Sequence, residues 1–189
     1  MLMNTITHLL FNYNSNNEKK YRFSDVFKEY REFNSNNIDQ YTVGKYGIKK
    51  MEQSDLYSKD KHIVFYPNCL VLGIGIEECG VSLNINGSCS PIYKVYKINN
   101  DIITTEYCYY FIKLYLNKYR RFITQKSTRR EFEMQYNELK NIFFELPSRV
   151  IQKEYSQLLC SLNNKVENES NILLKYQEQK RFLLNNLFI

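Results

Sequence analysis

The chain has 189 residues, is 43% hydrophobic and 24% charged, and sets 26 Lys+Arg against 20 Asp+Glu for a formal net charge of +6. That is the size and composition of one globular domain with or without an extension, and it excludes disordered and collagen-like chains. No apolar run reaches the ~18 residues of a membrane span, and the five cysteines form no CxxC pair, which argues against a disulfide framework or a zinc ribbon.

Met1 to Phe11 carries no basic stretch and no small-residue cleavage site, so a cytoplasmic, reducing location is expected. Residues 1–20 read as an N-terminal arm. From Tyr21 to Phe33 the apolar residues Phe23, Val26, Phe27 and Tyr30 follow a helical period, broken by Ser35-Asn36-Asn37. Tyr41 to Lys50 reads as a loop or short hairpin with Gly44, Gly47 and three lysines. Strands are expected at His62–Tyr66, Cys69–Gly75, Gly80–Ile85 (ending at the turn pair Asn86-Gly87) and Ile92–Ile98. In the last, Lys94 and Lys97 are expected on one exposed face. Thr104 or Thr105 is placed to cap a helix running to about Phe122. A polar loop over Gln125–Arg130, a short helix over Phe132–Lys140 and a strand Ile142–Leu146 stopped by Pro147 complete residues 21–147.

The last 41 residues, Arg149 to Ile189, contain no Gly and no Pro. A heptad frame fits them, with Leu159, Val166, Leu173, Lys180 and Leu187 at a and Tyr155, Leu162, Glu169, Tyr176 and Leu183 at d. A single helix over 148–189 would be ~60 Å long, twice the ~30 Å diameter of the preceding domain. Part of its apolar stripe must therefore meet another long helix. Glu169 and Lys180 interrupt the stripe and are expected to fix its register and orientation. The alternative is a helical hairpin turned near Asn163-Asn164 or Asn168. The expected fold class is α+β: a mixed and antiparallel β-rich domain followed by one long C-terminal coiled-coil helix.

Catalytic motifs are thin. Gly73-Ile74-Gly75 lacks the third glycine and the following helix of a dinucleotide loop. His8 and His62 have no i+4 partner, and Cys69, Cys79 and Cys89, ten residues apart, match no zinc spacing. No metal site and no cofactor is expected. Ser90-Pro91-Ile92-Tyr93 resembles the S/N/D-P-P-Y tetrapeptide of amino-methyltransferases, with Ile92 replacing the second proline and no glycine-rich loop before it. A small DNA amino-methyltransferase is the enzymatic alternative. Between Tyr107 and Arg130 stand seven basic residues and no acidic one, interleaved with aromatics, as expected either of a nucleic-acid face or of a solvated helix face whose aromatics enter the core.

Three stretches in sequence order then carry a resemblance. The first joins Ile63-Val64-Phe65-Tyr66-Pro67, Gly73, Gly80-Val81-Ser82 and Ser90-Pro91-Ile92-Tyr93-Lys94-Val95-Tyr96. The second is Ser127-Thr128-Arg129-Arg130 leading through Leu139 to Ile142-Phe143-Phe144-Glu145-Leu146-Pro147. The third is Gln152 with the helix ending Gln179-Lys180-Arg181-Phe182-Leu183-Leu184-Asn185-Asn186-Leu187-Phe188. Together they resemble one half of the specificity subunit of type I restriction–modification systems: one target-recognition domain (21–147) and one helical region (148–189). Thr128 stands where the family commonly has glycine.

The resemblance implies a non-catalytic subunit that reads double-stranded DNA in the cytoplasm. The family's full-length subunit pairs two helical regions as an antiparallel coiled coil, and each recognition domain reads half of a split site. With one of each here, the resemblance implies an antiparallel homodimer reading a palindromic site, or pairing with a complete specificity subunit as a regulatory or exchangeable half. Methylation subunits, and through them a restriction subunit, are the implied partners, docking through Leu158, Ile172, Leu174 and Leu184. The implied DNA-binding residues are Lys45, Tyr46, Lys49 and Lys50, the loop residues Ser127, Thr128, Arg129 and Arg130, and the phosphate contacts Lys94, Lys97, Lys113, Lys118 and Lys126. The reading loops also include Gly75-Ile76-Glu77. Tyr155, Leu159, Leu162, Val166, Leu173, Tyr176, Leu183 and Leu187 form the expected dimer seam.

Overall fold

The computed structural model describes residues 19–34, 38–52, 62–126 and 133–187. Within them the chain runs β1 (Lys19–Arg22), α1 (Phe23–Val26), β2 (Phe27–Tyr30), β3 (Phe33–Asn34), β4 (Gln40–Gly44), β5 (Gly47–Lys50), β6 (His62–Phe65), β7 (Cys69–Leu72), β8 (Cys79–Ser82), β9 (Gly87–Cys89) and β10 (Lys94–Ile98). It continues with α2 (Thr105–Lys118), α3 (Arg120–Ile123), β11 (Thr124–Gln125), β12 (Glu133–Met134), α4 (Tyr136–Leu139), β13 (Phe143–Leu146) and α5 (Arg149–Leu187). The α+β class and the single long C-terminal helix are as the sequence indicates.

The continuous apolar run of β7 needs cover on both faces, and it has it. Leu70 and Leu72 enter a large core with α1, α2 and Phe144, while Cys69 and Val71 enter a smaller core with Val43, Ile63 and Phe65. One antiparallel sheet, in the order β2-β10-β7-β8, divides the two cores. A second sheet, β3-β6-β9-β4-β5, is antiparallel except where β4 runs parallel to β9, and its buried residues supply the smaller core. β1 pairs with β13, so the described chain begins against the strand that leads into α5.

The structure corrects five sequence expectations. The helix expected over Tyr21–Phe33 survives as the single turn α1. Phe27–Tyr30 is instead a strand, because the backbone of central strand β10 needs a partner on that edge and Val95↔Tyr30 through Ile98↔Phe27 provide it. Asn86-Gly87 does not close a hairpin, since β8 and β9 lie in different sheets and Gly87 opens a strand paired with β6. A Cβ on Gly87 would lie 2.4 Å from the Tyr41 ring, so glycine serves a close approach there. Lys94 and Lys97, three residues apart on a strand, point to opposite faces. Phe132–Lys140 is shortened to β12 and the one-turn α4. The first described strand also starts at Lys19, inside the segment read as arm, and residues 1–18 lie outside the described residues.

Candidate nucleic-acid interface and helical rod

Three polar segments meet around the start of β8. The first is the β4–β5 hairpin, whose two-residue tip Lys45-Tyr46 is closed by the pair Gly44↔Gly47, with Gly47 at φ 96°. Tyr46 is 95% exposed. Below the tip, Ile48 lies hard against Gly80, where a Cβ would come within 2.7 Å of Ile48 Cγ1 and 2.8 Å of its backbone nitrogen. The Lys113 ammonium on α2 donates to the Lys45 carbonyl. Gly80→Ala is accordingly expected to destabilise the domain by ~1–3 kcal/mol, the usual cost of overpacking, and to loosen the hairpin. Chemical denaturation reads the first effect, and proteolysis at Lys45 the second.

The second segment is the turn between β7 and β8. The Glu78 carboxylate accepts from the amides of Ile74 (3.0 Å) and Gly75 (3.3 Å), and the Tyr136 hydroxyl donates to the Gly73 carbonyl. The chain's own carboxylate thus fills the niche a phosphate would take in a dinucleotide loop. Ile76 is buried in the large core, which leaves Glu77 as the exposed side chain of Gly75-Ile76-Glu77. The third is the β11–β12 stem itself, which is joined to this turn by Met134 N donating to Ile74 O at 2.7 Å. Ser127, Thr128, Arg129 and Arg130, which follow this stem's first strand, lie outside the described residues.

The lysines divide by what already holds them. Lys94 is ion-paired to Glu29 at 2.7 Å, and Lys50 to Asp39 at 2.6 Å. Asp39 raises the Lys50 ammonium above its ordinary range. Lys113 is spent on Lys45, and Lys97 lies over the Tyr30 ring at 5.1 Å. Lys49 and Lys126 are exposed and make no ion pair among the described residues, and exposed Lys118 lies over Tyr115 at 5.6 Å. Arg121 and Phe122 fall within the basic, aromatic stripe of the sequence but not among its expected DNA contacts, and both are exposed on α3 between Lys118 and Lys126; Phe122 is 71% exposed. An apolar side chain that the core leaves out, flanked by cations, was the available signal.

The other motifs lie in turns and in the cores. Ser90-Pro91-Ile92-Tyr93 is a turn into β10, in which Tyr93 N donates to Ser90 O (3.0 Å) and the Tyr93 hydroxyl lies 3.2 Å from Thr42 Oγ1. Cys69, Cys79, Cys89 and Cys108 are free and buried, and burial pushes the Cys79 thiol up to about 11 and the Cys89 thiol up to about 12. Among the described residues no group of three or more His, Cys, Asp or Glu is placed to hold a metal ion, and no helix is long and apolar enough to cross a membrane.

α5 is one uninterrupted helix, which decides against a turn at Asn163-Asn164 or Asn168. Its first turns pack on α2. Gln152, only 1% exposed, fixes the joint: Oε1 accepts from Thr104 N (2.9 Å), and Nε2 donates to Ile102 O (3.0 Å) and Pro147 O (2.9 Å). Thr104 in turn caps α2 through its side chain to Tyr107 N. Tyr155 packs on the large core and Leu159 is fully buried, so these two expected seam residues are taken up by their own domain. Leu162 is half-buried. Beyond it Val166, Leu173, Tyr176 and Leu183 stand exposed, as do Leu158, Ile172, Leu174 and Leu184. The Leu187 side chain lies outside the described residues.

No family model and no curated protein matches the chain. Solved structures do. A chain from a study of complex assembly and conformational transition of the type I R-M system aligns at TM-score 0.67 and 12% identity over 96% of this chain. The HsdS subunit from Thermoanaerobacter tengcongensis aligns at 0.59 and 13% over 90%, and the type I restriction–modification S subunit from M. genitalium at 0.61 and 14% over 95%. In all three the match covers 48% of the other chain, so this chain spans about half their length.

Proposed function

We propose that this chain, which has the fold of one half of a type I restriction–modification specificity subunit, is a non-catalytic DNA-reading subunit that works as an antiparallel pair and recruits methylation and restriction subunits to a bipartite site. The observation that carries the reading is the rod. Its apolar stripe continues for about six turns past Leu159, the last residue fully buried against the domain, and no part of the described chain covers it. A stripe of that length exposed to water marks a protein interface. The domain at its base supplies the DNA face. Lys49, Lys118, Arg121 and Lys126 are its phosphate contacts, because no carboxylate among the described residues neutralises them. Tyr46 on the hairpin tip and Arg129 and Arg130 beyond the β11 strand are its base readers. Phosphate contacts set affinity and salt dependence, whereas base-edge contacts set sequence preference.

The test is selection from a pool of random DNA duplexes with the purified chain. Enrichment of an inverted repeat with a fixed gap is expected. Arg129→Ala with Arg130→Ala is expected to relax preference at the bases they read, at ~1–3 kcal/mol for each bidentate contact to guanine. Enrichment of no sequence at any salt concentration would remove the reading.

A further inference from the structure

The rod carries its own instructions for register. Resting on the proposed pairing of two copies, we infer that the seam locks in one antiparallel register, with Glu169 of each copy against the partner's Lys180 and the twofold axis between Leu174 and Lys175. Within the stripe beyond Leu159, Glu169 and Lys180 are the only charged residues at a and d positions. Both are exposed, and the ion pairs among the described residues, Lys20–Glu145, Lys50–Asp39 and Lys94–Glu29, leave the rod out.

A parallel, in-register pair would set Glu169 against the partner's Glu169 and Lys180 against the partner's Lys180, two like-charge layers. Antiparallel helices bring each a against a d. In the register named, Val166 meets the partner's Leu183 and Leu173 meets the partner's Tyr176, while both charged layers become ion pairs. One heptad closer, Glu169 faces the partner's Leu173 and Lys180 the partner's Leu162. One heptad further apart, Lys180 faces the partner's Tyr176 and Glu169 the partner's Leu187. Either shift leaves charges unpaired in an apolar seam.

The flanking e and g positions from Asn163 to Asn186 hold Lys165 as their one charge, so the seam itself decides. The seam needs neither Leu159, which its own domain buries, nor Tyr155, which is half-buried against the large core. The register also fixes how far apart the two domains stand. The two Leu159 residues, where the rods leave their domains, are separated by ~46 Å along the seam.

The exposed Cys160 serves as a built-in ruler, since the other four cysteines are buried. Spin-labelled at Cys160, the full-length chain is expected to give an inter-label distance of about 45 Å by double electron–electron resonance. The register one heptad closer would give ~33 Å and the one further apart ~54 Å, and a parallel pair would give ~10 Å, the spacing between helix axes. Glu169→Lys alone and Lys180→Glu alone are each expected to weaken the dimer at least ~10-fold by sedimentation, and the double exchange to restore it. A dimer at another distance, or single exchanges without effect, overturns the register and leaves the pairing intact. A monomer at all concentrations overturns the pairing itself.

Discussion

Leu173→Glu combined with Leu183→Glu is expected to turn the dimer into a monomer without changing the thermal unfolding of the domain. Both side chains stand on the rod beyond Leu159 and are about half exposed in the single chain. The domain therefore loses nothing when they change. The seam loses ~1.5–3 kcal/mol for each leucine no longer buried, and twofold symmetry counts every substitution twice. Charge placed in an apolar layer adds to the loss. The dimer should weaken by at least ~1000-fold, read by sedimentation equilibrium. Leu162 is a poorer choice, being half-buried on its own chain. In the duplex selection, the same variant is expected to enrich a single half-site in place of an inverted repeat. An unchanged solution mass would show that the stripe serves some other partner.

The rod was legible because its signal is local. A period near 3.5 without Gly or Pro specifies a long helix whatever surrounds it. The run Cys69–Leu72 was legible as a strand because burial on both faces writes a continuous apolar segment. What the sequence hid were choices made by tertiary partners. Phe23, Val26, Phe27 and Tyr30 satisfy a helical period, yet the last two belong to a strand because the edge of β10 needed pairing. Asn86-Gly87 has the composition of a hairpin turn, but the tight fit of Gly87 on Tyr41 reserves it for another sheet.

The site divides in the same way. Periodicity placed Tyr155 and Leu159 in the same stripe as Leu173, and it could not say that the first two face the chain's own core while the last faces outward. Composition marked the lysines as one class. Only the fold separates Lys94 and Lys50, held by Glu29 and Asp39, from Lys49 and Lys126. A glutamine in the first turn of a helix has the appearance of a surface residue, so the burial of Gln152 was not legible, and the resemblance named the residue without its role.

Gln152→Ala is expected to cost the isolated chain ~3–6 kcal/mol. The amide satisfies three backbone groups at once, Thr104 N, Ile102 O and Pro147 O, and a buried polar group deprived of its partner costs ~1–3 kcal/mol. Against a total stability of ~5–15 kcal/mol for a domain of this kind, that loss is large enough to read directly by urea denaturation. Gln152→Met separates shape from bonding. It refills most of the volume and makes none of the three bonds, so it should recover little of the loss; full recovery would show that packing alone holds the joint. Gln152→Glu goes further. Its carboxylate can still accept from Thr104 N, but it sets an oxygen against the carbonyls of Ile102 and Pro147, where the wild-type amide donates. Because these carbonyls lie on the segment entering α2 and on Pro147, two residues before α5, the substitution loosens the angle between domain and rod. The dimer that survives should show a broadened Cys160 distance distribution around an unchanged register, and reduced selectivity for the gap between half-sites.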